Sequence, residues 1–234
     1  MNRLLIIGDI LFVVFLAVFL LTTNIRLVVN APKLYSYGFD KYDIERTTGI
    51  ERLELIDAGR QIREYFNNNV DRLDVRIFVN GIKRSIYGRR ETTHMVDVKN
   101  LVRKVYQLQY MSLVYIVIFF TTGVILLRIR GFSKILNLTF LTGLFTIIAF
   151  VALSLLMFFG FDRLFIAFHL ISFSNDLWQL DPSRHMLIAM FPQNFFFDAT
   201  LIVAGLTIIE SVILIVLRPL LRRLRIYNFR LQGS

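Results

Sequence analysis

An α-helical integral membrane protein, with four transmembrane helices and a small α+β extracellular cap, is the fold class expected of this chain. Its 234 residues are 56 % hydrophobic and its mean hydropathy is +0.59, beyond what a water-soluble core needs. The apolar residues gather in four long stretches, each carrying at most one acidic residue. A stretch of that length crosses about 30 Å of hydrocarbon at about 1.5 Å per helical residue. The formal net charge of +10 matters here by its distribution more than its size: the short flanks of the stretches carry basic clusters, and the long segment 24–104 is basic too but of a length that crosses largely regardless of charge.

In chain order the expected parts are a first span at 1–23, an extracellular cap at 24–104 and a second span at 105–127. A cytoplasmic turn at 128–134 leads to a third span at 135–161 and an extracellular or interfacial, aromatic-rich segment at 162–198. A fourth span at 199–217 and a basic cytoplasmic tail at 218–234 complete the chain. The first stretch, Leu4–Leu21, exceeds the 7–15 apolar residues typical of a cleaved signal, which favours a retained anchor. Arg128, Arg130 and Lys134 follow the second span, and Arg218, Arg222, Arg223, Arg225 and Arg230 follow the fourth. By the positive-inside rule both places are cytoplasmic, as are both termini, which puts His94, His169 and His185 on the outside.

Within the cap, Thr48-Gly49-Ile50-Glu51 has capping-box spacing, and Leu53, Ile56, Ile62, Tyr65 and Phe66 then form a helical stripe. Val75, Ile77 and Val79 alternate with polar residues up to Asn80-Gly81, a two-residue hairpin signal, and Ile82–Tyr87 returns. His94 precedes a helix that runs into the second span.

The chain has no cysteine, which excludes disulfides, thiolate nucleophiles and thiolate metal sites, and only three histidines can titrate near neutral pH. One stretch concentrates unusual residues: FHLISFSNDLWQLDP, 168–182. Asp181-Pro182 suits an N-cap with proline at the first helical position, so SRHMLIAMF reads as a short amphipathic helix. Interfacial anchoring accounts for the aromatic residues. It does not account for a histidine, an asparagine and an aspartate among them. On a helix His169, Ser172, Phe173 and Asp176 share one face, and Asp97 stands three residues after His94, where its carboxylate either holds a ring nitrogen or is merely solvated.

FHLISFSNDLWQLDP with MLIAMFPQNFFFD after it, and ETTHMVDVKNL about 75 residues upstream, resembles the bacterial lipoprotein intramolecular transacylase family. The order of spans, cap and motifs agrees over nearly the whole chain. The resemblance implies acyl transfer within one lipoprotein: the sn-2 acyl chain of a diacylglyceryl-cysteine moves to that cysteine's own α-amine, leaving a lyso-form lipoprotein. It implies His94 and His169 as the catalytic pair, and Asp97, Asn175 and Asp176 are the expected orienting or supporting residues around them. Phe168, Phe173, Trp178, Phe195 and Phe196 would then line an acyl pocket. The implied partners are the diacylated lipoprotein N-terminus and membrane lipids, with no cofactor and no metal.

Two imidazoles with ordinary pKa values near 6.5 can manage the proton leaving the amine and the charge on the departing glycerol oxygen. His185 falls where no motif match can be claimed. Glu210, a carboxyl inside a span near the cytoplasmic end, reads as a buried partner or a snorkelling group, and Asp9, similarly close to the inner surface, reads as structural. Two rival classes are a non-enzymatic membrane scaffold or lipid-binding partner, and a membrane zinc hydrolase, the latter weakened by the absence of a His-Glu-x-x-His helix.

Overall fold

The computed structural model describes the backbone of residues 3–232, with side chains for all of these but 4, 127–130, 159 and 222–232. Arg128, Arg130, Arg222, Arg223, Arg225 and Arg230, which carry much of the expected orientation, lie outside the described side chains. The elements are α1 (Arg3–Asn30), α2 (Pro32–Lys41), α3 (Ile44–Thr48), α4 (Arg52–Asn67), β1 (Arg76–Val79), β2 (Ile82–Ser85), α5 (Arg89–Ser172), α6 (Met186–Met190) and α7 (Gln193–Gln232). Four helical stretches have the length and apolarity to cross a membrane: Leu5–Asn30, Arg89–Leu126, Gly131–Phe158 and Gln193–Leu221. In the second of them the charge-free run begins only after Lys104, so residues 89–104 carry the charges expected outside the hydrocarbon.

Two compact units divide the chain. One takes Met1–Ile25, Gln107–Leu155 and Val203–Ser234; the other takes Arg26–Tyr106 and Leu156–Ile202.

In the membrane-spanning unit the long helix α5 doubles back. A Cβ on Gly123 would lie 3.3 Å from Ile135, whereas twelve residues of straight helix would separate them by about 18 Å. Phe12, Ile135 and Leu138 form the buried centre, with Leu16, Tyr115 and Phe119 against them. Ile10, Val14, Ile118, Ile148 and Ile213 face outward, as lipid contact requires. Lipid removes the hydrophobic drive between helices, so close packing and polar ties hold the spans together. Both are present. Gly143 lets α5 approach α7 so closely that a Cβ there would meet the Ser211 carbonyl at 2.6 Å. Asn24, 1 % exposed, donates to Glu210 (2.8 Å) and Thr207 (3.1 Å), and Lys134 pairs with Asp9 at 2.6 Å. The two in-span carboxyls thus each hold a partner on another helix or segment.

In the second unit α4 buries Leu55, Ala58, Gly59, Ile62, Tyr65 and Phe66. The expected stripe is corrected at its start, because Leu53 is 75 % exposed and Ile56 points outward as well. The capping box is corrected too. Thr48 ends α3, its hydroxyl donating back to the Ile44 carbonyl, and Gly49 takes the left-handed conformation (φ 67°) that closes a helix. A Thr-Gly pair therefore stops one helix where the spacing read as the start of the next. The hairpin forms at Asn80-Gly81, both at positive φ (55° and 77°), with Val79 opposite Ile82. Gln61 clamps the edge of β1, donating to the Arg76 carbonyl and accepting from the Arg76 N–H, both at 3.0 Å.

Asp181-Pro182 does not begin a helix. The Asp181 carboxylate accepts from the Ser183 N–H (2.9 Å) and hydroxyl (2.7 Å), closing a turn, and α6 starts only after His185. The third membrane helix also runs on without a break through 162–172, so Asp176 lies beyond its end and not on a face shared with His169.

Candidate active site

The site is built by the two ends of α5 and the strap 173–181 that leaves its C-terminus. Glu91 sets the start of the helix. Its buried carboxylate accepts from the Gly88 N–H at 2.6 Å, capping α5, and from the Leu187 N–H at 2.7 Å, fastening α6 beside it. One turn later His94 is buried, 7 % exposed, in helix that begins six residues earlier than the sequence suggested.

His169, 8 % exposed, sits in the last turn of α5. Its Nδ1 lies 2.7 Å from the Phe165 carbonyl, which can only accept, so Nδ1 carries the proton and Nε2 keeps a free lone pair. The rings of His94 and His169 have centroids 6.3 Å apart at an interplanar angle of 31°. Aromatic side chains surround them. Phe173 meets His94 edge-on at 5.2 Å, Trp178 lies 4.8 Å from His169, and Phe165 and Phe168 approach His169 at 4.4 and 5.2 Å. Two buried polar atoms in this box, His94 Nδ1 and Trp178 Nε1, have no hydrogen-bond partner. Buried nitrogens left unpaired are uncommon in folded chains, and these two are placed to meet hydrogen-bonding atoms of a bound molecule.

Burial governs the electrostatics. It pushes His94 down to about 4, helped by the charge His169 would carry and opposed by the nearby Asp97 carboxylate. His169 is lowered too, again by burial, with the Phe165 carbonyl pulling the other way. Both imidazoles are therefore neutral at neutral pH.

The residues expected to orient the pair act differently from the expectation. Asp97 does not hold a His94 nitrogen; its carboxylate accepts from Asn175 at 3.0 Å. Asp176 contributes its backbone carbonyl, which accepts from the Arg90 guanidinium. Arg90 and Asp97 lie four residues before and three after His94, on one side of α5, and between them they pin the strap carrying Phe173 and Trp178. Of the expected pocket, Phe168, Phe173 and Trp178 touch the histidines directly. Phe196 reaches them through Phe165, at 5.5 Å. Phe195 packs elsewhere, over Gly38 and against Tyr35 and Phe191, because Gly38 leaves room for its ring. His185 is occupied in the turn, its Nδ1 accepting from the Asp181 N–H at 2.9 Å. Among the described residues no group of three His, Cys, Asp or Glu is placed to hold a metal ion.

Glu91, Arg90 and Phe165 were not singled out from the sequence as site residues. Each had a faint signal: Glu91 and Arg90 lie within a helical turn before His94, and Phe165 lies four residues before His169.

The family described as lipoprotein intramolecular transacylase Lit matches residues 10–196. The solved structure of the membrane integral lipoprotein intramolecular transacylase Lit from Bacillus cereus superposes with a TM-score of 0.80 at 23 % identity, over 97 % of this chain and 100 % of that one. Two histidine-substituted variants of that Bacillus cereus protein match with TM-scores of 0.75 at 23 % identity, one over 95 % of this chain and 93 % of its own, the other over 94 % of each. At this identity the likeness to these structures is one of fold. No curated protein sequence matches the chain.

Proposed function

This chain belongs to the lipoprotein intramolecular transacylase family, and from that membership we propose that it moves the sn-2 acyl chain of a diacylglyceryl-cysteine onto the α-amine of the same cysteine. The product is a lyso-form lipoprotein. The observation that carries this reading is the buried, neutral histidine pair inside an aromatic box, with one nitrogen of His94 unpaired. Neutral amine attacks ester, so the nitrogen must lose one proton and the glycerol oxygen must gain one. His169 is suited to both transfers. Its free Nε2 takes the proton from the attacking nitrogen and returns it to the departing oxygen as the C–O bond breaks. His94, held neutral by burial, donates a hydrogen bond to the oxyanion formed at the carbonyl. The aromatic walls exclude water that would otherwise hydrolyse the ester. Holding amine and ester in one molecule contributes several kcal/mol through orientation. An ester becomes an amide, a downhill exchange that needs no nucleotide.

The test is to mix two lipopeptides, one with a heavy-isotope peptide and the other with a heavy sn-2 acyl chain, and to weigh the N-acylated products. Only parental pairings are expected. Abundant doubly heavy or doubly light product would mean that acyl groups come from separate molecules.

The charge pattern along the sequence supports an outward-facing site on a multi-pass protein of the bacterial cell membrane, with both termini cytoplasmic. Cysteines replacing Asn69 and Asn194 should react with an impermeant maleimide on intact cells, and Ser133→Cys should not. Labelling of Ser133→Cys alone would reverse the orientation.

A further inference from the structure

A cavity of about 530 Å3 opens beside the first turn of α5 and the Asp181 turn. Its walls include Arg89, Arg90, Arg184, Thr47, Ser183 and His185. Three guanidinium groups share this space with one carboxylate, Glu91, whose oxygens are already engaged by the Gly88 and Leu187 N–H groups. Asp181 approaches Arg184 only at 3.7 Å, with both side chains largely exposed, so that pair neutralises little. The charged part of the lining is basic and sits beside apolar wall from Ile86, Pro182, Met186 and Ala189, which suits carboxylates or peptide carbonyls on an extended chain.

Its position relative to the histidines gives it a use. Arg90 lines the cavity, grips the Asp176 carbonyl of the strap, and precedes His94 by four residues, about 6 Å along the helix axis. A lipoprotein's α-amine and its peptide chain leave the same cysteine Cα. With the amine at His169, an extended chain advancing about 3.3–3.6 Å per residue reaches the level of this cavity within two or three residues.

Building on the transacylase reading, we propose that the cavity receives the second to fourth residues of the lipoprotein, counting the modified cysteine as the first, and selects acidic side chains there. Acyl chains and peptide then part company at the cysteine. The chains enter the aromatic box, and the peptide enters the basic cavity.

The experiment compares two synthetic lipopeptides with the same diacylglyceryl-cysteine, one continuing Ser-Asp-Glu and the other Ser-Lys-Lys, using the full-length enzyme in neutral detergent. At low salt kcat/KM for the acidic peptide should exceed that for the basic one by about tenfold, an advantage that shrinks at high ionic strength. Arg184→Glu, and separately Arg89→Glu, should invert the preference, which a general loss of folding does not do. A wild-type ratio within about twofold of one, or a ratio untouched by both reversals, overturns the cavity assignment while leaving acyl transfer in place. If neither peptide yields an N-acylated product, the transacylase reading itself fails and takes this assignment with it. The wild-type ratio and its salt dependence decide the matter even where a variant fails to accumulate.

Discussion

Replacing His169 by alanine should lower kcat for acyl transfer by roughly a thousand- to ten-thousandfold, because in the proposed mechanism it removes the group that relays the proton from nitrogen to oxygen. His94→Ala should cost roughly a hundred- to thousandfold, the usual price of one oxyanion donor. The conservative variants separate the two roles. His94→Gln keeps a neutral N–H donor and should recover part of the loss, whereas His169→Gln has no base and should recover none. Rates from purified, monodisperse variants decide this, and an active His169→Gln beside an inactive His94→Gln would exchange the assignments.

The pH profile follows from the depressed imidazoles. His94 stays neutral down to about 4 and burial shifts His169 in the same direction, so the acid limb of kcat/KM should belong to the substrate's α-amine, near 7.7–8.0. Stability carries the opposite signature. The unfolded chain binds protons on these histidines near pH 6.5 and the folded chain does not until about 4 at His94. Their contribution is therefore full above 6.5 and is lost as pH falls toward 4.

Glu91→Ala should be the most damaging change among residues that do not touch the reacting atoms. It strips the acceptor from the Leu187 N–H, which is buried, and removes the cap of α5, for a cost of about 2–4 kcal/mol. Transfer should fall with it, since His94 rides one turn beyond that cap. Glu91→Gln retains one acceptor oxygen and should lose about half as much. Thermal unfolding followed by circular dichroism in detergent measures both. An alanine variant that melts with the wild type would remove Glu91 from this role.

The spans were legible because hydrocarbon tolerates so little: runs without charge, such as 105–127, have few alternative readings. The hairpin was legible because Asn80-Gly81 demands positive φ at two successive residues. Caps were not. Thr48-Gly49 and Asp181-Pro182 each offer hydroxyl or carboxylate groups that start helices, end them or close turns with equal chemical ease, and tertiary packing chose. The strap's anchors were equally hidden, since Asp97 meets Asn175 across 78 residues and Arg90 meets Asp176 across 86. Nothing local in the sequence says that Asp97 will face an amide instead of the histidine three residues away. The convergence of His94 and His169 came from resemblance to a family; no periodicity links two residues so far apart.

Because α5 carries one histidine near its first turn and the other in its last, the proposed catalytic pair belongs to a ribosome's timetable as well as to a fold. His169 is synthesised 75 residues after His94, which at bacterial rates is roughly 4–15 s. Throughout that interval the nascent chain holds an imidazole with no partner and no strap to shield it. Bringing the two together by diffusion of a free segment would cost loop entropy, but the doubling back of α5 has already spent it. A chain that stops short of residue 169 therefore lacks one histidine of the pair, and one that passes it acquires the second with the strap close behind.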